Sequence, residues 1–561
     1  MIAHSGALTF DENLRPMLPG ERLVKSECLP FRQVPHTTRL FDDFLSNPDK
    51  LHEFYPRSAY FTEWFQEEVS SIRYDAARRE WVGAILQRQN EGWEASAKTI
   101  ENIGRFRGGA SVVVTGQQVG LFGGPMFSLY KALTAVKLAD LATQSGVDCV
   151  PVFWLATEDH DLAEVDHVAV PAPDGSFHTL TSTTPAQPDA PVGTVIFGAE
   201  VEALVSSAAE LLGDSEITNT LRQCYRPGEN FGSAFARLFA RIFGEWGVIL
   251  LDASDPELHR VAEPIYRAAV ERADELDGAL LRRGEALEAS GYHQQVKVTP
   301  ASALLFTLQD GARIPVHRRT NGAGSEFVIR EEKTSQGELL QRIASVPERF
   351  SPNVLLRPVV QDYLLPTLAY TGGAAEVAYF AQAAVVYQAL LGRITPVVPR
   401  FSATVVESKP GGLLERYGLT LVDLFQGPER LRELLAARAL PSELQSAFEE
   451  AEAGLKQSLG KIRAALERLD KTLVDSSDNA ASKMHHQLES LRARAARAEL
   501  RQTEVLTRHA ELLSRALYPN KTLQEREFPA IYFLARYGTA LLHDLYGSIH
   551  ADCLDHQVIT L

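Results

Sequence analysis

Cysteine is scarce in this chain: four among 561 residues, Cys28, Cys149, Cys224 and Cys553, far apart and with no C-x-x-C pair. That spacing suggests neither a disulfide framework nor a zinc ribbon, and it fits a reducing compartment, the cytoplasm. Cys149, beside an apolar run, reads as a small core residue rather than a reactive thiol. Positive charge is also short. The net charge is −16, which disfavours a constitutive nucleic-acid or anionic-membrane binder. No apolar run reads as long enough to span a bilayer, and the opening Met1-Ile2-Ala3-His4 lacks the basic-then-apolar order of a signal peptide. Walker A, G-x-G-x-x-G and H-E-x-x-H spacings are missing too, so no phosphate loop of those types is assigned and no metal ligands are named.

What is present is an ordinary globular composition, 45% hydrophobic and 23% charged, in a chain too long for one compact domain. The expected fold class is α/β with a mostly parallel, Rossmann-like sheet. Residues 30 to 110 read as helical and polar. Between 111 and 425 short apolar runs alternate with amphipathic helical patterns, the mark of βαβ units. Ser111 to Thr115, Pro151 to Ala156 and Val248 to Leu251 read as buried strands, with Val354 to Leu356 and Thr395 to Val398 as weaker candidates. Residues 293 to 331 break the rhythm and read as an antiparallel insertion turning at Gln309-Asp310-Gly311.

The core is expected to occupy residues 1–425, a hairpin 426–517 and a segment docking back on the core 518–561. From about 441, Leu455, Leu459, Ile462, Leu466, Leu469 and Leu473 recur at spacings of four and three, a heptad seam. Asp475 to Asn479 reads as the turn of an antiparallel coiled coil. Met484, Leu488 and Leu491 resume the seam beyond it. Such a hairpin suits a homodimer.

Four segments carry candidate chemistry. Thr115-Gly116-Gln117-Gln118-Val119-Gly120 runs on through Gly124-Pro125 into a helix bearing Lys131. Free N–H groups and two glutamine amides there suit phosphate or carboxylate oxygens; a glycine turn serving packing alone is the other reading. Thr157-Glu158-Asp159-His160-Asp161 follows an apolar strand, where ligands of open α/β sheets bind. Three acids together need a counter-charge, or one of them is a helix cap. Asp252 ends another strand. Arg357, followed by Gln361 and Asp362, either holds an anion or pairs with Asp362 or the acid cluster. Gly372 and Gly373 open a further helix, with Glu376 in its first turn.

These motifs closely resemble the bacillithiol-synthesis cysteine ligase family. The resemblance rests on Thr115 to Gly120, Gly124-Pro125, Pro151 to Trp154, Glu158 to Asp161, Ser351 to Val354, Arg357-Pro358, Gln361 to Ala369 and Gly372 to Tyr379. It implies a nucleotidyltransferase-like Rossmann core, a coiled coil that mediates dimers, and an enzyme that joins cysteine to glucosaminyl-malate. ATP or ADP is then the implied nucleotide, with magnesium as a further candidate, no tightly bound cofactor, and no nucleic-acid or membrane partner. On that footing Gly116, Gln117, Gln118, Gly120 and Gly124 would hold phosphate or carboxylate oxygens. Glu158, Asp159 and Asp161 would hold an ammonium group or a hydrated magnesium ion. His160 would be the base, and Gln361 and Asp362 would line the substrate side. Arg400, Tyr518, Asn520 and Arg526 form an alternative nucleotide site near the coil base. The H-x-G-H sequence of class I nucleotidyltransferases is missing, and a glutamine amide supplies no positive charge, so an acyl phosphate or an outside activating partner stays open beside an adenylate. Two rival readings are another nucleotide-dependent amino-acid ligase or transferase and a non-catalytic dimeric scaffold.

Overall fold

A computed structural model describes residues 25–561 apart from 173–175, 322–323, 439–441 and 503. The opening residues read for a signal peptide lie outside the described part.

Ser111–Gln117, Cys149–Leu155, Ile249–Asp252, Thr367–Gly372 and Val397–Pro399 form one all-parallel sheet. Numbered along the chain, they lie in the order fifth, fourth, first, second, third. Alternate side chains of each strand enter different cores, as a two-residue period requires. Val112, Val114, Val150 and Val152 pack with Val82, Leu86 and Phe106 from the helices Ala76–Gly92 and Ala97–Gly108. Phe153, Leu155 and Leu250 pack on the other side with Leu129 and Leu133 of the helix Met126–Gln144 and with Phe235 and Phe239. Both faces are covered, which is why these strands are continuously apolar. The fourth strand was not read as one from the sequence: Val354 to Leu356 is a turn leading into the helix Arg357–Leu364, and the sheet is completed by Thr367–Gly372 instead.

The helix Ala374–Leu391 is, at 18 residues, long and apolar enough to cross a membrane by length and composition. Its Val377, Phe380, Val386 and Tyr387 are core residues here.

The antiparallel insertion forms as expected. Ser302–Gln309, Ala312–Asn321 and Gly324–Ile329 pair in sequence, with Glu332–Ser335 and Phe350–Pro352 at the edges. Asp310 and Gly311 both have positive φ, 51° and 79°, between the paired Gln309 and Ala312. That is the two-residue turn an Asp-Gly dipeptide favours.

A three-stranded sheet joins distant parts of the chain. His556–Thr560 lies between Lys25–Leu29, antiparallel, and Ala403–Val406, parallel. Cys28, in the first of these strands, forms a disulfide with Cys553, which lies just before His556–Thr560, contrary to the expectation drawn from cysteine spacing. The sequence separation of 525 hid a pairing that arises only once Lys25–Leu29 and His556–Thr560 lie side by side. Cys149 and Cys224 are free and buried.

The hairpin consists of Ser442–Leu469 and Val474–Gln502, followed by Glu504–Leu517. Its turn is Asp470 to Leu473, earlier than the polar run 475–479. Asp470 accepts the Thr472 N–H at 2.9 Å and starts the turn, whereas Asp475 sits in the first turn of the next helix, where its charge favours the dipole. Ile462, Leu469, Met484 and Leu491 remain exposed along the hairpin.

Candidate active site

A cavity of about 630 Å³ opens at the carboxyl ends of the parallel strands, where the strand order reverses between Ser111–Gln117 and Thr367–Gly372. This is the place where open α/β sheets bind ligands. Gly116, Gln117 and Gln118 form one wall, Glu158 and Asp159 a second, and Gly373 to Glu376 with Arg400 a third. The insertion contributes Phe306 and Arg313 as a cover.

The glutamine turn and the acid tip meet inside it. Gln118 Nε2 donates to Asp159 Oδ2 at 2.7 Å and to Glu164 Oε2 at 2.8 Å. Gln117 Oε1 accepts from Lys131 Nζ at 2.8 Å, and the same ammonium reaches the Gly116 carbonyl at 2.9 Å and Glu376 Oε2 at 2.6 Å. Lys131 is only 4% exposed, and burial lowers its pKa while Glu376 opposes that shift. Burial also works against the Glu376 carboxylate, yet Lys131 outweighs it and holds the group below its usual range. Glu376 further accepts from Tyr370 and from the Gly373 N–H at 2.8 Å.

Gly116 has a steric role, since a Cβ there would stand 2.9 Å from the Trp154 carbonyl. Gly120 and Gly124 pack on one another, and neither lines the cavity. The helix after Pro125 does not offer its first N–H to a ligand either: Met126 N–H donates to the Phe528 carbonyl at 2.8 Å. The packing reading therefore describes the far half of the glycine loop, and the two glutamines are its cavity-facing part.

At the acid tip, Asp159 Oδ1 accepts the His160 N–H at 2.7 Å. Burial pushes the Glu158 carboxyl up to about 8, against the pull of Arg313 and with Asp252 adding to the rise. Behind it, His259 Nε2 lies 3.4 Å from Glu158 Oε1, and His259 Nδ1 lies 3.0 Å from the Tyr266 hydroxyl. Burial holds His259 down at about 4, so at neutral pH the imidazole is uncharged. Asp161 is exposed and outside the lining. His160 is also outside it; its Nδ1 lies 3.3 Å from Arg313 Nη1 and its ring packs near Phe306.

Arg313 was not foreseen in the sequence. Its guanidinium stacks 3.9 Å over Phe306, donates to Ser351 Oγ at 3.0 Å and to the Pro352 carbonyl at 2.8 Å, and sets positive charge beside Glu158 and Asp159. The Asp-Gly turn two residues earlier was the one sequence signal that pointed to its position.

Arg357 lines the cavity and donates to Gln361 Oε1 at 3.0 Å and Tyr379 at 2.8 Å, not to Asp362. Gln361 is buried and Asp362 half-buried behind it, and Asp362 accepts from Gln361 and Thr395; neither lines the cavity. Asp252 likewise turns away, accepting from Thr157 and from the Ser254 N–H and hydroxyl. Gly372 stands just behind the lining, where a Cβ would meet Glu376. The alternative site near the coil base does not assemble. Arg400 and Arg526 turn into the main cavity, Tyr518 packs on Phe425, and Asn520 donates to Glu527 at 2.7 Å. Among the described residues no group of three His, Cys, Asp or Glu side chains is placed to hold a metal.

Residues 24–401 match the bacillithiol biosynthesis BshC N-terminal Rossmann-like domain, and residues 403–561 match the C-terminal coiled-coil domain of the same family. Several similar curated proteins bear the name "Putative cysteine ligase BshC". The one from Koribacter versatilis is 49% identical over 95% of this chain and 99% of its own length. That from Solibacter usitatus is 38% identical over 95% and 99%. That from Salinibacter ruber is 34% identical over 93% and 96%. With two domain matches that together run from residue 24 to residue 561, this chain belongs to the bacillithiol biosynthesis BshC family.

Proposed function

We propose that the chain is a ligase that joins the carboxyl group of cysteine to the amine of glucosaminyl-malate in bacillithiol synthesis, with ATP activating the carboxyl group. The observation that carries this reading is the Gln118–Asp159 contact within one cavity at the strand-order reversal, with carboxylates at one wall and guanidinium groups around it. The cysteine ammonium suits Asp159, a half-buried carboxyl side chain in that wall. Its carboxylate would attack the α-phosphorus of ATP, pyrophosphate would leave, and the sugar amine would then displace AMP. One proton must leave that amine. Glu158 is better placed than His160 to take it, because Glu158 lines the cavity and His160 faces Arg313. A carboxyl group near 8 is matched to that task at mildly alkaline pH. Among the described residues no group of three His, Cys, Asp or Glu side chains is placed to cage a magnesium ion.

The exposed stripe on the coiled-coil hairpin supports pairing with a second copy. The test of function is to supply cysteine, glucosaminyl-malate and ATP and follow product mass together with AMP and ADP. The cysteinyl amide with AMP supports the full reading. ADP in its place replaces the adenylate with an acyl phosphate. No amide under either condition removes the ligase reading.

A further inference from the structure

The cavity is electrically two-ended. Its acid tip, Glu158 and Asp159, follows the strand Cys149–Leu155, and Arg400 follows the strand Val397–Pro399. Three inter-strand steps separate those strands, so the ends lie about 14 Å apart across the sheet. Between them Lys131 is matched by Glu376, and Arg357 is held by the neutral partners Gln361 and Tyr379.

The basic end is matched only in part. Arg400 is neutralised by Glu525, which accepts from both of its terminal nitrogens at 3.2 and 2.5 Å. Glu525 also accepts from Ser402 and from the Ala403 N–H, so its oxygens are fully engaged. Arg526, the next residue, lines the same cavity and makes no side-chain hydrogen bond or ion pair among the described residues. Arg526 is exposed at the edge of the cavity, and the protein packed around it together with the neighbouring Arg400 works against its charge. A guanidinium with five donors, no acceptor and a like charge beside it is favoured by a bound oxyanion.

We infer that Arg526, with Arg400 fixed behind it by Glu525, is an anion subsite that takes a carboxylate or phosphate group of a substrate whose other end lies at Glu158 and Asp159. This rests on the ligase reading for the names of the substrates, though not for the existence of the subsite. Glucosaminyl-malate, with an amine at one end and malyl carboxylates at the other, has the required polarity. A nucleotide phosphate offers the same oxygen chemistry.

The test is calorimetric binding to the full-length protein, without turnover, for glucosaminyl-malate, methyl glucosaminide, inorganic phosphate and cysteine, comparing wild type with Arg526→Gln and Arg526→Lys. Thermal melting checks that each variant is folded. The subsite predicts an affinity for glucosaminyl-malate that falls about tenfold in Arg526→Gln, partial recovery in Arg526→Lys, and an unchanged affinity for cysteine. Loss confined to phosphate also supports the subsite and assigns it to the nucleotide. Equal affinities of wild type and Arg526→Gln for both anions overturn it. Failure to form the amide, with the binding shift intact, would count against the ligase reading alone.

Discussion

Glu158 Oε1 stands 3.4 Å from His259 Nε2 at the back wall of the cavity, and burial favours the uncharged form of both groups. If Glu158 accepts the amine proton, it must be ionised first. Turnover should therefore rise with pH up to about 8 and level off above it. Glu158→Gln should flatten that limb and lower turnover by roughly 100-fold or more. A pH–rate profile that keeps its alkaline rise in Glu158→Gln would remove this role.

The same carboxyl group leaves a mark on stability. Its folded pKa of about 8 lies above the ordinary value of 4.5, so the protonated form is favoured in the fold. Its contribution is complete below 4.5 and is lost as pH rises toward 8. Glu158→Gln should thus melt at a higher temperature relative to wild type at pH 8 than at pH 5. Calorimetric scans at the two values check the sign.

Lys131 and Glu376 form a buried pair, so removing one partner leaves the other unmatched. Lys131→Met or Glu376→Gln alone should cost about 3 to 5 kcal/mol, and the double change should cost less than the sum. Denaturant titration of the three variants measures the coupling.

Asp159 is expected to hold the cysteine ammonium. Asp159→Asn should raise KM for cysteine by roughly 10- to 100-fold, as loss of a charge-assisted hydrogen bond implies, and leave KM for the acceptor nearly unchanged. An equal rise in both constants would point to a collapsed wall rather than a lost contact.

Leu469 and Leu491 are 78% and 57% exposed on the hairpin. Leu469→Glu combined with Leu491→Glu should shift the mass found by light scattering from a dimer toward a monomer, at unchanged helix content by circular dichroism. A wild-type monomer would already refute the pairing.

Much of this architecture was legible in the residues, and the gaps have physical causes. The strands at Ser111 and Pro151 announced themselves because burial on both faces makes a strand uniformly apolar. Thr367–Gly372 did not, since its Thr, Tyr and Gly residues resemble a turn until the neighbouring strands are in place. Gln118 and Asp159 could be placed at strand ends by pattern, and the structure brings them into contact. Arg313 and His259 could not, because Arg313 reaches the cavity from the insertion and His259 backs Glu158 from the helix Pro256–Glu271, through contacts that no local spacing encodes. The hairpin turn was misplaced for a related reason: a polar run on an exposed helix looks the same in sequence as a loop.

The strand His556–Thr560 fills the middle of its sheet, between Lys25–Leu29 and Ala403–Val406. During synthesis both neighbours emerge from the ribosome well before it. Until residue 560 is free of the exit tunnel, they present open hydrogen-bonding edges, to which other nascent chains can add. Entry of His556–Thr560 is then the step that closes this sheet, and a chain stopped near residue 550 should be captured by chaperones or aggregate.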